Sequence, residues 1–311
     1  MFNLEFLITK KCNQTCYYCN NSIYQKEDNL VEIDLDYIDW VLEIYNKYHV
    51  NNIRIEISGG EPGITKNFLE LIDLFNSKNY ISKIFLLSNG LIRKRFGNDI
   101  KSVIGKKFDG YQEHTALEIR DKDILYFYPE LTFYNSSKDT IHVVVLNEQT
   151  ITSLLNNFDY YNEKDLYKCN IDFKLITPKV FYPNNELINK SKEFYDKLKK
   201  IKNISSAVNV FVNANYKNFN KKLNTKYTNI CSKISMLQFI DVENKLLGQC
   251  SMQVEQCNKA AINEENIKKA LKGILFEKNE FCKNCYKYNE KLNAFYLERL
   301  LNKNSYNNMK G

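Results

Sequence analysis

Three of the nine cysteines fall inside one short loop, Lys10-Lys11-Cys12-Asn13-Gln14-Thr15-Cys16-Tyr17-Tyr18-Cys19, at spacing C-x3-C-x2-C. No other feature narrows so far what the chain can fold into. A tight loop brings three thiolates together at little entropic cost, and sulfur ligands suit soft metals and iron–sulfur centres. Three ligands leave one position of a four-iron cluster open to a small molecule, as an open zinc site does. A zinc site needs a fourth ligand, and the first histidine is as far away as His49. The run Asn3 to Thr9 ahead of the loop reads as a strand that delivers it at its C-terminal end, where α/β proteins build their sites.

Composition sets wider bounds. With 311 residues, 44% hydrophobic and 26% charged, the chain is long enough for one large α/β domain and a small second one. The formal charge of +7 comes from lysines scattered among asparagines, which reads as a solvated surface rather than a nucleic-acid footprint. No basic segment and cleavage site precede Asn3, and no apolar run approaches about 18 residues. A soluble cytoplasmic protein with no membrane segment is expected. Nine cysteines in that reducing compartment point to metal or catalysis rather than disulfides.

A β-α rhythm follows the loop. Helical spacing runs from about Asp34 to Tyr48, alternation marks a strand over Asn52–Ile57, and a helix over Leu69–Phe75 precedes a strand over Lys83–Leu87. The first of these strands ends in Gly59-Gly60-Glu61-Pro62, where two glycines let backbone approach a ligand and Glu61 and Pro62 fix the turn. The next ends in Ser88-Asn89-Gly90. From Leu91 to Asp139 the pattern is poor: Arg93–Ile104 reads as a helix, and Glu113 and His114 read as a surface turn or as substrate-facing groups. A buried strand over Thr140–Leu146, ending at Asn147, a helix over Ile151–Phe158, a strand over Ile171–Ile176 and a helix over Glu186–Ile201 complete six units. An edge strand over Val208–Val212 and a linker over Asn215–Asn229 lead to a hairpin around Asp241-Val242-Glu243-Asn244 and a helix over Asn263–Leu271.

The cysteine loop, with the aromatic Tyr18 just before its third cysteine, and the Gly59-Gly60-Glu61-Pro62 turn one β-α unit later together resemble the radical S-adenosylmethionine (SAM) enzymes. The resemblance implies an α/β fold, a partial (β/α)6 TIM-type barrel over residues 1–210 with a small C-terminal α+β auxiliary-cluster domain over 211–311. It implies that Cys12, Cys16 and Cys19 hold a [4Fe-4S] cluster and that SAM binds its open iron. Gly59, Gly60, Glu61, Pro62 and Tyr18 would line the cofactor, the turn facing its amino group. Ser88 and Asn89 would reach its ribose or carboxylate, or form only an Asn-Gly turn. An electron from flavodoxin or ferredoxin would release a 5′-deoxyadenosyl radical that takes hydrogen from a substrate.

The pattern Cys231-x18-Cys250…Cys282-x2-Cys285 resembles the twitch domain, a shortened relative of the SPASM domain, whose four cysteines hold a second, auxiliary [4Fe-4S] cluster. Zinc on the same ligands stays open. Cys257 is a hydrogen-atom donor, a cluster ligand or a bystander, and Cys169 is a small apolar residue or a loop thiol. The family context points to a small polar substrate of sugar or aminocyclitol kind, or a peptide, undergoing oxidation or epimerisation. A chain that opens on its first barrel strand is expected to lack the N-terminal peptide-recognition domain of many peptide maturases. The competing reading is a non-catalytic zinc or iron–sulfur binding or electron-transfer protein, which has no need of the Gly59-Gly60-Glu61 turn.

Overall fold

The computed structural model describes residues 1–14, 16, 25–114, 119–121, 124–125, 140–163, 166–168, 171–175, 185–202, 237–248, 259–272 and 275. Six strands, β1 (Phe2–Leu7), β2 (Ile53–Ser58), β3 (Ile81–Ser88), β4 (Phe108–His114), β5 (Thr140–Leu146) and β6 (Ile171–Leu175), pair in parallel, each beside its predecessor. Between them run α1 (Leu35–Lys47), α2 (Phe68–Ser77), α3 (Leu91–Phe96), α4 (Ile100–Ile104), α5 (Glu148–Asn156) and α6 (Phe158–Glu163), with α7 (Asn185–Leu198) after β6. Strand order that follows chain order without reversing winds in one direction, as in a barrel and not a doubly wound sheet. The protein is therefore α/β, with a partial (β/α)6 TIM-type barrel.

The helices form where the sequence period meets that sheet. The Asp34 side chain caps α1 by accepting from the Tyr37 amide at 2.9 Å. Ile38, Val41, Leu42 and Tyr45 then fall on one face and bury against Leu4, Phe6 and Ile55 of the sheet. Each such apolar side chain, fully buried, contributes roughly 1.5–3 kcal/mol. A second apolar cluster lies behind β5 and β6, where Phe158, Tyr167, Phe173 and Phe194 pack ring against ring, with centroids as close as 5.0 Å.

The same strands carry charge between those apolar positions. Arg54 donates from Nε to Asp109 at 2.6 Å and from Nη1 to Glu56 at 3.1 Å, Lys83 reaches Asp109 at 2.5 Å, and the Arg54 guanidinium lies 4.5 Å from the Phe85 ring centre. Strand β4 therefore has no simple apolar alternation. The surface turn expected around Glu113 and His114 is instead the end of a strand paired to β3 and β5. The single helix expected over Arg93–Ile104 is two, α3 and α4, parted at Gly97 with φ 95°.

The other edge of β1 is covered by the C-terminal part of the chain. Strand β7 (Leu237–Asp241) pairs with β1 in parallel, and β8 (Leu246–Gly248) and β9 (Lys259–Ala261) follow in antiparallel order. Helix α8 (Glu264–Leu271) docks on α1, with Tyr48 Oη donating to Glu264 at 2.9 Å and Lys47 reaching it at 2.6 Å. Tyr45 Oη bonds Gln238 on β7. Ile240, Val242, Leu247 and Ile267 share one hydrophobic cluster with Leu4 and Tyr45. Among the described residues, segments from both sides of residue 210 thus contribute to this cluster. An open β1 edge exposes a ladder of unpaired amides and carbonyls, and the hairpin satisfies it. The expected edge strand over Val208–Val212 and linker over Asn215–Asn229 lie outside the described residues. Among the described residues, no helix is long and apolar enough to cross a membrane.

Candidate cluster and cofactor site

The cysteine loop and the glycine turn meet at the C-terminal ends of β1 and β2. The Gly60 amide donates to the Thr9 carbonyl at 2.8 Å and the Glu61 amide to the Lys11 carbonyl at 3.0 Å, so the turn is sewn to the entrance of the loop. This approach requires glycine. A Cβ on Gly60 would stand 2.1 Å from the Lys11 carbonyl oxygen, and Gly59, at φ 145°, would place one 2.6 Å from that of Thr9.

Glu61 is the post behind this turn. Its side chain is completely buried, and it accepts from the Gly63 amide at 2.7 Å, Ser88 Oγ at 2.8 Å and the Asn89 amide at 2.6 Å. Burial pushes its carboxyl up to about 7; the three donors pull against that rise and the nearby Glu113 adds to it. Pro62 opens the short turn Pro62–Ile64 that Glu61 caps. Further behind, Tyr111 Oη donates to Glu113 at 2.8 Å and Arg93 pairs with Glu113. Burial holds the Tyr111 hydroxyl well above its ordinary pKa, with the Glu113 charge adding to the effect. His142, opposite Glu113 on β5, is pushed down to about 4 by burial and by the Arg93 charge.

The loop itself is anchored at both ends. Lys11–Cys12 pairs in parallel with Gln25–Lys26, and the Glu27 amide donates to the Cys12 carbonyl at 2.9 Å. Beyond it, Val31 bridges Thr65, next to the glycine turn. Cys12 is buried, and its sulfur receives the Gln14 amide at 3.4 Å and Asn89 Nδ2 at 3.8 Å. Asn89 Nδ2 also donates to Asn13 Oδ1 at 2.8 Å. N–H donors aimed at sulfur stabilise a thiolate, so this donor set fits an iron–sulfur ligand.

The structure thus gathers Cys12, Gly59, Gly60, Glu61, Pro62, Ser88 and Asn89 around one mouth, with Cys16 in the same loop, its sulfur 3.7 Å from Gln14 Oε1. Within that group Ser88 is buried and turned to Glu61. Asn147 caps α5 through its side chain, which accepts from the Thr150 amide at 2.8 Å. Cys19, Tyr18, Cys169, Cys231, Cys250, Cys257, Cys282 and Cys285 lie outside the described residues. Sequence reasoning missed the Arg93–Glu113–Tyr111 support and the reach of Glu243 to Thr9; a buried glutamate at a strand end leaves no local signal.

A cysteine loop at the mouth of a partial α/β barrel, with the Cys12 sulfur receiving N–H donors, is an arrangement that suits an iron–sulfur cluster. Residues 5–114 match the family described as the 4Fe-4S single cluster domain. The GTP 3′,8-cyclase of Alkaliphilus metalliredigens is 33% identical over 100 residues, 32% of this chain and 30% of that protein. The chain spans about a third of the length of the curated relatives it matches. Among solved structures, Streptococcus suis SuiB bound to precursor peptide SuiA superposes with a TM-score of 0.56 at 13% identity, over 93% of this chain and 71% of that one. His-tagged anSMEcpe with bound AdoMet superposes with a TM-score of 0.52 at 14% identity, over 92% and 87%. At these identities the two structures show likeness of fold. The segment that matches, residues 5–114, is the one that carries the cysteine loop and the glycine turn, and its likeness is to a [4Fe-4S] cluster domain.

Proposed function

We propose that this chain is a radical SAM enzyme acting on a small polar substrate. The observation that carries it is the seam between the two motifs: the Gly60 and Glu61 amides bonded to the Thr9 and Lys11 carbonyls, beside a Cys12 sulfur that accepts two N–H donors. Cys12, Cys16 and Cys19 would hold the cluster. When bound, cluster and SAM together supply a 5′-deoxyadenosyl radical on one-electron reduction, from flavodoxin or ferredoxin, and with it hydrogen-atom abstraction from carbon. The Gly59-Gly60 backbone, clear of side chains, would receive the amino group of SAM, with Tyr18 beside it. Glu61, Pro62 and Ser88 would hold that backbone in place, and Asn89 would tie the loop to the end of β3.

The polar substrate is supported by the name of the sequence relatives, GTP 3′,8-cyclases. A peptide substrate has the support of the SuiB likeness in fold alone. Cys231, Cys250, Cys282 and Cys285 would hold an auxiliary [4Fe-4S] cluster in a twitch-like segment, and Cys257 would return hydrogen if the reaction epimerises. Product mass separates the outcomes: oxidation removes two hydrogens, and epimerisation leaves mass unchanged.

The deciding experiment measures iron, sulfide and electron paramagnetic resonance of anaerobically reconstituted protein with and without SAM. The Cys12→Ala/Cys16→Ala/Cys19→Ala variant is expected to lose about half the iron, as one of two four-iron clusters disappears, and all of the SAM-dependent spectral change. Zinc in place of iron, or a wild type indifferent to SAM, sinks the enzyme reading in favour of a binding protein.

A further inference from the structure

The entrance of the cysteine loop is gripped from a second side, by the turn between β7 and β8, 234 residues downstream. Glu243 Oε1 accepts from Thr9 Oγ1 at 2.6 Å and from the Lys10 amide at 2.8 Å, and Thr9 Oγ1 in turn accepts from the Lys11 amide at 3.0 Å. Lys10 Nζ lies 3.3 Å from Asp241 Oδ2, a carboxylate buried at the end of β7, and the Val242 amide donates to the Leu7 carbonyl at 3.1 Å. Within the turn, Asn244 donates to both Asp241 oxygens, at 3.0 and 2.7 Å, which shapes the hairpin and touches nothing in the loop through those bonds.

An exposed turn needs only polar side chains, and water would serve Glu243 as well as any partner. Its carboxylate instead spans successive residues of the segment that ends at Cys12. Two residues of this segment, Thr9 and Lys11, are held from the other side by the Gly60 and Glu61 amides. Backbone direction at Thr9–Lys11 sets where the first sulfur ligand stands, so the two grips act on one geometry.

We propose that Glu243, seconded by Asp241, is a positioning residue for the cluster loop, making the geometry of the SAM-binding cluster depend on the C-terminal hairpin. The proposal rests on the cluster assignment above for its effect on SAM and on the hydrogen bonds alone for its effect on the loop. A hydrogen bond to an exposed carboxylate contributes about 1 kcal/mol, which corresponds to about fivefold in an equilibrium constant.

The test compares full-length wild type with Glu243→Ala, Glu243→Gln, Thr9→Val and, as a hairpin control, Asn244→Ala. Amide hydrogen exchange at Lys10 and Lys11 is read in the iron-free protein, and SAM affinity by spectral titration in the reconstituted protein. Glu243→Ala and Thr9→Val are expected to speed exchange at these amides and to weaken SAM about fivefold. Glu243→Gln, whose amide oxygen still accepts, recovers most of both. Asn244→Ala, which loosens Asp241 and leaves Glu243 in place, lowers thermal stability with a smaller effect on both. Equal exchange in Glu243→Ala and Asn244→Ala, or wild-type exchange in Glu243→Ala, overturns the positioning role. A wild type that ignores SAM while Glu243→Ala still frees Lys10 and Lys11 sinks the enzyme reading and leaves the grip established.

Discussion

Gly60→Ala is expected to abolish the SAM-dependent spectral change and to cost about 2–6 kcal/mol of stability. The new Cβ would sit 2.1 Å from the Lys11 carbonyl oxygen and 2.6 Å from its carbonyl carbon, and both are backbone atoms with no flexible end to swing away. Relief requires β2 and the loop entrance to part. That breaks the Gly60–Thr9 and Glu61–Lys11 hydrogen bonds, together worth about 1–3 kcal/mol, on top of an overpacking cost of about 1–3 kcal/mol. Gly97→Ala is the control for backbone strain alone: Gly97 has a positive φ, 95°, but a Cβ there meets nothing within 4 Å. It should lose about 1–3 kcal/mol, because alanine rarely adopts that backbone conformation, and keep the SAM response. Denaturant unfolding and electron paramagnetic resonance on both variants check this, and a Gly60→Ala protein with wild-type SAM affinity would disprove the seam as the organising contact.

The contrast between these glycines bears on what the sequence discloses. The spacing of Cys12, Cys16 and Cys19, the glycine turn one β-α unit on, and the periods of α1, β2 and β5 are local patterns, and they led to the correct barrel. The role of Glu61 is not local: Ser88 ends the next strand, 27 residues away, and Asn89 follows it. Strand β4 failed as a pattern for the same reason. Its Asp109 is satisfied by Arg54 and Lys83, and its buried Glu113 by Arg93 and Tyr111, so charges occupy positions where alternation would call for apolar residues. The hairpin around Asp241–Asn244 was legible, but its place was not. Which edge a hairpin joins depends on an open strand elsewhere, here β1, and nothing within the hairpin names it.

The buried groups behind the glycine turn lead to an expected result that concerns pH. Glu61, raised from 4.5 to about 7, binds its proton more tightly when folded. The unfolded chain therefore releases that proton first, and Glu61 makes stability fall as pH rises through that window, by about 3 kcal/mol in all. His142, lowered from 6.5 to about 4, works the other way: the unfolded chain holds the extra proton, and stability is lost as pH falls toward 4. Its contribution is also about 3 kcal/mol, in nearly the same window. The two cancel, so the wild-type stability should vary little between pH 4.5 and 6.5 on their account. Glu61→Gln unmasks the histidine: stability should climb by about 3 kcal/mol across that range, from a level lowered by about 1–3 kcal/mol because the amide NH2 faces a donor. His142→Leu unmasks the glutamate, and its stability should fall by a similar amount from pH 4.5 to 7. Glu113, Arg93 and Tyr111 remain in both variants, so differences from wild type isolate the two groups. Urea unfolding at a series of pH values measures them, and profiles that stay parallel in all three proteins would mean that neither group is held off its ordinary titration by the fold.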